Sequence, residues 1–222
     1  EWSDRARFEL GETFYMQGDF LLAAHTFEDI YLTHRSPLWD NIALYRWASC
    51  NVRMKKFGEA EQHLSAINQR KIDPALSANV GYLLTESLAA QDKIPKIISL
   101  LRKESRKKQS MENTYRLIWA RAAQGDFQKA VNLSNDFLNR GEDPELTPRT
   151  LLLQAYSFER LGKGAEAFAT YQLVAEHFSN TPYAAKAAEL SCINFFRAGE
   201  YKSISTQVSS LWRQVDPDIQ KR

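Results

Sequence analysis

The sequence predicts an all-α fold, a series of antiparallel helix pairs of about twelve helices in which each pair leans on the next. Three observations predict it. Apolar residues keep spacings of three and four in segments long enough for helices, and no alternating strand pattern or hairpin dipeptide competes. A short glycine turn recurs as Gly18-Asp19-Phe20, Gly125-Asp126-Phe127 and Gly199-Glu200-Tyr201, with Gly162 in a further copy. The residues around these turns repeat in phase, at a period typical of stacked arrays.

The stretch from Leu10 to Phe27 shows the unit. Gly18 can take the positive φ that ends a helix, and Asp19 is expected to cap the next helix with its carboxylate. Phe20 is placed to pack back across the hairpin. Gly11 and Ala23 are small where the helices must approach, and Leu10, Phe14 and Phe27 are expected to supply the apolar bulk. Two short helices bury too little to stand alone, so each pair needs neighbours.

Phe20, Phe57, Ile94, Phe127, Gly164 and Tyr201 anchor six units, at intervals of 37, 37, 33, 37 and 37 residues. Three residues after each anchor come Ala23, Ala60, Ile97, Ala130, Ala167 and Ile204. Seven after come Phe27, Leu64, Leu101, Ser134, Tyr171 and Val208. The third unit lacks the glycine turn, and the fifth has Gly164 in place of an aromatic.

First helices are expected at 4–16, 39–54, 75–90, 111–123, 148–161 and 182–197, and second helices at 20–33, 57–68, 95–104, 127–140, 165–177 and 201–213. Asp73-Pro74, Thr147-Pro148 and Thr181-Pro182 each read as a cap followed by a first-turn proline. Ser36-Pro37 marks the first inter-unit loop. Pro95 falls in a first turn, where its missing N–H costs little. The run Arg102-Lys103-Glu104-Ser105-Arg106-Lys107-Lys108 reads as a solvated loop and as a candidate hinge near 102–110.

The pattern of small, aromatic and turn-glycine positions resembles the tetratricopeptide repeat family, whose unit is about 34 residues. The resemblance covers nearly the whole chain as six units, approximately 4–37, 38–74, 75–108, 109–146, 147–181 and 182–216. It implies one right-handed superhelical solenoid over 1–222. It also implies a non-catalytic scaffold that binds a protein or peptide on the concave surface lined by the first helices. Phe178-Ser179-Asn180-Thr181-Pro182-Tyr183-Ala184 resembles linkers of bacterial envelope members, which favours the periplasm or cell envelope over the cytoplasm. The chain opens on Glu1-Trp2, and Asp216-Pro217 reads as the start of another helix, so a segment of a longer chain is expected.

Twelve residues before the anchors come Phe8, Tyr45, Tyr82, Tyr115, Leu152 and Glu189; eight before come Glu12, Ser49, Glu86, Trp119, Tyr156 and Ile193. The resemblance places both sets on the inner face. Arg46, Arg53, Arg116, Arg160 and Arg197 fall beside them. The expected site is therefore Phe8, Tyr45, Arg46, Tyr82, Tyr115, Arg116, Trp119 and Tyr156. Tyr, Trp and Arg bury large area with a polar tip and are enriched at binding hot spots. Extended or helical peptides with apolar and acidic side chains suit such a face. Chaperone-binding members hold a terminal carboxylate with lysines and asparagines, and the aromatic and acidic residues here cannot form that clamp.

Composition is that of an ordinary folded domain, with 44% hydrophobic and 25% charged residues. A net charge of +2 gives no reason to expect nucleic acid or an anionic membrane. No apolar run reaches membrane-span length, and no signal peptide is visible. Cys50 and Cys192 lie far apart in such an array and read as two buried free thiols. His25, His34, His63 and His177 pair with no other histidine or cysteine at ligand spacing, and surface or groove-edge places are expected for them. There is no phosphate loop and no nucleophile elbow. No enzyme activity, cofactor, metal or small-molecule substrate is expected. The alternatives are a structural spacer or dimerisation module and, behind it, an RNA-binding helical repeat.

Overall fold

In the computed structural model, residues 2–33, 37–105 and 110–198 are described. Among them are eleven α-helices and no strand. The first helices are α1 (Trp2–Gln17), α3 (Pro37–Arg53), α5 (Pro74–Ala90), α7 (Met111–Ala123), α9 (Leu146–Arg160) and α11 (Pro182–Ala198). The second helices are α2 (Phe20–Leu32), α4 (Phe57–Asn68), α6 (Ile94–Ser105), α8 (Phe127–Leu138) and α10 (Gly164–His177). The expected twelfth helix, the turn at Gly199, Asp216-Pro217, Ser36 and residues 106–108 of the basic run lie outside the described residues.

The helices fall into two compact units, Glu1–Ile97 and Ile98–Arg222. In the first, α2 packs on both α1 and α3, and α4 on both α3 and α5; first helices also touch, α1 with α3 and α3 with α5. In the second, α8 packs on α7 and α9, and α10 on α9 and α11; α7 meets α9, and α9 meets α11. Each unit thus presents a layer of first helices backed by a layer of second helices.

The register positions are the core. Three residues after the anchors, Ala23, Ala60, Ile97, Ala130 and Ala167 are all 0% exposed. Seven after, Phe27, Leu64, Ser134 and Tyr171 are equally closed, and Leu101 nearly so. Small residues let the paired backbones approach, and the large ones fill the space this leaves. Ile204 and Val208 lie outside the described residues.

All five described turns are built alike. Gly18, Lys55, Asp92, Gly125 and Gly162 have φ of 86°, 61°, 56°, 85° and 74°. The N–H of the following residue reaches back to the last turn of the first helix: Asp19 to Phe14 O, Lys56 to Asn51 O, Lys93 to Leu88 O, Asp126 to Arg121 O and Lys163 to Phe158 O, all at 2.8–2.9 Å. This is the closing bond of a left-handed helix cap. The third unit therefore keeps the turn without its glycine.

Several local expectations are corrected. Asp19 stands at the N-cap of α2 but its side chain makes no cap hydrogen bond; its backbone N–H and carbonyl do the joining. Leu10 is 48% exposed rather than core, although its counterparts Leu84, Gln154 and Ser191 are buried. Helix α9 begins at Leu146, so Thr147 and Pro148 sit inside its first turn. Asp143 takes the capping role instead, its Oδ1 accepting from Glu145 N at 3.0 Å and Leu146 N at 2.8 Å. Thr181 donates to Phe178 O at 2.7 Å, whereas Asp73 caps α5 as expected, accepting from Ala75 N and Leu76 N. Cys50 is buried, but Cys192 is only half-buried. Burial pushes the Cys50 thiol up to about 12.

Polar contacts tie neighbouring pairs. Glu61 on α4 accepts from Lys96 Nζ at 2.9 Å and Gln91 Nε2 at 3.1 Å and pairs with Lys93. The Lys93 hydrogen bond leads in holding its carboxyl below the usual range, against burial. On α9, buried Gln154 donates to Asn135 Oδ1 of α8 at 2.6 Å.

Candidate functional site

The second unit holds an open cavity of about 320 Å³ where the end of α7, the turn into α8 and the middle of α9 meet. Trp119, Ala122 and Ala123 come from α7, Gln124, Gly125 and Phe127 from the turn and the start of α8, and Leu153, Tyr156 and Arg160 from α9. The left-handed turn at Gly125 sets Phe127 across from α9. Its ring stands edge-on to Tyr156, centroids 5.9 Å apart. The Arg160 guanidinium lies 4.8 Å from the Phe127 centroid and 5.8 Å from that of Tyr156, and Arg160 Nη1 donates to the Tyr156 hydroxyl at 2.9 Å. A guanidinium over an aromatic face is attracted by the ring quadrupole and keeps its edge free for hydrogen bonds.

The polar rim is tuned to donate. Gln124 Oε1 accepts from Arg121 Nη1 at 3.3 Å, which leaves its amide N–H groups for other partners. The Tyr156 oxygen accepts from Arg160, so its proton can point elsewhere. Arg121 is held by Asp126 at 3.3 Å. The Lys129 hydrogen bond, with Lys129 and Arg121 charge behind it, keeps the Asp126 carboxyl below its usual range.

The expected site residues distribute as follows. Trp119 and Tyr156 meet at this cavity. Tyr115, one turn before Trp119 on α7, is half-buried against the Ile118–Phe137 cluster; burial raises its hydroxyl above the usual range, against the pull of Arg149. Arg149 Nε in turn donates to Tyr183 of α11 at 3.1 Å. Arg116 is bonded to Glu112 one turn away at 3.0 Å. In the first unit, Phe8 packs on Phe27 and Trp39, with centroids 5.4 and 5.2 Å away. Arg46 pairs with Glu12 and lies 5.6 Å from the Tyr15 centroid. Tyr45 is half-exposed, and Tyr82 is 53% exposed. Each unit gathers its own members.

Phe127 and Gln124 were not among the expected site residues. Phe127 was read only as a turn residue that packs across its hairpin, and Arg160 only as a flanking charge. The signal that links them is the repeat itself. Arg53 stands one repeat beyond Phe20 as Arg160 stands beyond Phe127, and Arg53 lies 5.3 Å from the Phe20 centroid.

The histidines divide. His25 is exposed near Glu28, at 3.5 Å, and His177 is exposed. His63 departs from its expected surface place: it is half-buried and stacks on Trp47 at 4.0 Å. Burial lowers its pKa, against the influence of Glu59 and Glu28. Among the described residues no three His, Cys, Asp or Glu side chains could hold a metal ion, and no helix is long and apolar enough to cross a membrane.

The family model for the tetratricopeptide repeat matches residues 149–181, which run from α9 through α10 to the start of α11. Residues 149–181 are a tetratricopeptide repeat. The described helices have the fold of such proteins. A tetratricopeptide repeat protein from Parabacteroides merdae ATCC 43184 superposes with a TM-score of 0.78 at 12% identity, over 98% of this chain and 82% of that one. The C-terminal part of a TPR repeat-containing protein from Cytophaga hutchinsonii gives 0.69 at 11% identity, over 93% and 77%. At such identities the likeness is one of fold. No curated protein matches the chain. A tetratricopeptide-repeat fold points in general to a protein-interaction or scaffold role, and proteins built on it are generally non-catalytic.

Proposed function

We propose that this chain is a non-catalytic scaffold that holds a partner peptide or protein on the face of its first helices, with the Trp119–Phe127–Tyr156–Arg160 cavity as one anchoring point. The observation that carries the reading is the cavity's division of labour. Its walls are aromatic and aliphatic, and its rim offers hydrogen-bond donors from Arg160, Gln124 and Tyr156. An apolar side chain beside a carboxylate complements both. Tyr115 and Arg116 belong to the first-helix face of the same unit, and Phe8, Tyr45, Arg46 and Tyr82 to that of the first unit.

The test is selection of binders from a random linear peptide library on the full chain, followed by affinity measurement on variants. Trp119→Ala and Arg160→Ala are expected to weaken selected peptides by tenfold or more, since hot-spot aromatics and arginines cost about 2 kcal/mol or more on truncation. Tyr45→Ala with Tyr82→Ala tests the first unit in the same way. Circular dichroism confirms that each variant is folded. Affinities unchanged in every folded variant would refute the reading.

A further inference from the structure

The ring-and-arginine arrangement occurs at two described stations and is half-built at a third. Arg53 lies over Phe20, and Arg160 over Phe127. Arg197, in the last turn of α11, stands to Gly164 in the same register, but Gly164 brings no ring. It is exposed, and a Cβ placed on it would meet nothing within 4 Å. Where Tyr156 flanks Phe127, this station has Ile193, 37% exposed. Arg197 is exposed as well. The charge that acts on it from the packed elements is that of Glu159 on α9, which also accepts from Tyr171 of α10 at 2.8 Å.

Gly164 is costly where it stands, because glycine in the first turn of a helix gives up backbone entropy and buries nothing. The two other stations fill the corresponding place with a phenylalanine that an arginine covers. From this we infer that the third station is a seat for an aromatic side chain of the bound partner, which slides between Ile193 and Arg197 and takes the place that Phe127 occupies one repeat earlier. The inference rests on the proposed partner-binding face and adds a residue class to the ligand. A partner would carry an aromatic residue for this seat besides the apolar and acidic pair for the neighbouring cavity. Arg197 is poised to close over the ring by the same cation–π attraction that holds Arg160 on Phe127.

The experiment is a titration of the isotope-labelled full chain with N-acetylphenylalanine amide and, separately, N-acetylleucine amide, followed by NMR at the Gly164 amide, the Arg197 amide and the Trp119 indole N–H. The aromatic probe is expected to shift Gly164 and Arg197 through its ring current, and the leucine probe to leave them in place. Gly164→Phe supplies the ring from the chain itself and favours the helix, so it is expected to fold and to abolish the Arg197 response while Trp119 still responds. Arg197→Ala is expected to weaken the shift at Gly164. A response at Trp119 with none at Gly164 and Arg197 overturns the seat and leaves the anchoring cavity standing. Silence at all three overturns both, and equal responses to the two probes at Gly164 overturn the aromatic preference.

Discussion

Gly11→Ala adds one methyl group at a crowded helix crossing of the first unit. A Cβ there would lie 2.7 Å from Phe27 Cε1, 2.8 Å from Cζ and 3.2 Å from Cδ1, against the roughly 3.5–4.0 Å at which carbon atoms rest. Phe27 is fully buried among Ala23, Ala24, Ile30, Ala43 and Cys50, with Phe8 packed on its ring. It cannot swing away without displacing that cluster. Overpacking of this kind costs about 1–3 kcal/mol, and replacing glycine by alanine in a helix returns at most about 1 kcal/mol. The net expectation is a loss of about 1–2 kcal/mol. Phe27→Leu removes the obstructing ring edge, and in that background Gly11→Ala should stabilise by about 0.5–1 kcal/mol. The change of sign is the diagnostic, and a double-mutant cycle isolates it. Urea unfolding followed by tryptophan emission is the assay, because Trp39 and Trp47 pack against this cluster. With a slope of about 2 kcal/mol per molar urea, the single variant should move the midpoint down by roughly 0.5–1 M. Equal effects of Gly11→Ala in the two backgrounds, or a stabilised single variant, would refute the reasoning.

Lys55 holds a left-handed conformation at φ 61°, so Lys55→Gly should raise the urea midpoint by relieving about 1 kcal/mol of backbone strain, and a lowered midpoint would count against the strain. His63 is held below its ordinary pKa by burial, so the unfolded chain takes up its proton first as pH falls below about 6.5. Stability should therefore drop on acidification from there, and His63→Phe, which keeps a ring on Trp47, should flatten that limb of the stability–pH curve; an unchanged slope would show that His63 is not its source. Glu159 is shifted the other way by burial, against its Tyr171 bond and Arg197; its contribution is full below the unfolded value of about 4.3 and is lost as pH rises through the raised folded value. Glu159→Gln retains an acceptor for Tyr171, so at neutral pH it should be at least as stable as the parent, and a loss above about 1 kcal/mol by urea titration would contradict this. Trp119→Glu combined with Leu153→Arg copies the Glu12–Arg46 register of the first unit into the second, and should abolish peptide binding at the cavity with the helical circular dichroism signal preserved and a lowered midpoint, since Leu153 packs against the Ile118–Phe137 cluster; retained binding would separate the cavity from the function.

Much of the fold was legible because the repeat restates it. Positions three and seven after each anchor carry alanine, leucine or an aromatic often enough to be aligned, and alignment alone gives helices, turns and core. Even Ser134, a polar residue at a core position, is closed off, with its hydroxyl spent on Ala130 O at 2.9 Å. What could not be read were features decided by a neighbour. Lys55 and Asp92 take the glycine conformation because the pair geometry imposes it, and no local signal marks them. Leu10 has the composition of a core residue, but exposure depends on what packs against it. His63 stands where spacing suggests surface, and only the side chain of Trp47 across the pair makes it half-buried. Of the cavity lining, Trp119 and Tyr156 were legible from the register and the wall from the turn was not. Phe127 belongs to the register that builds the hairpin, so its second role as a cavity wall shows only when Arg160 is seen lying on it.

The same register carries opposite chemistry in the two units, and this separates what folds the chain from what gives it a partner. Glu12 and Trp119 occupy one position of the repeat, and Arg46 and Leu153 another. In the first unit the two positions form an ion pair whose guanidinium lies over the Tyr15 ring. In the second they are apolar, cannot pair, and line an open cavity. Both choices leave the closed alanine and aromatic positions of the register in place, although Leu153 also packs against the Ile118–Phe137 cluster. Charge on the first helices, and ring or glycine at the start of the second, can therefore change one repeat at a time. An ion pair makes one kind of station, a ring under an arginine makes a walled one, and a glycine below an arginine makes one without a ring, the seat inferred above for an aromatic side chain of a partner.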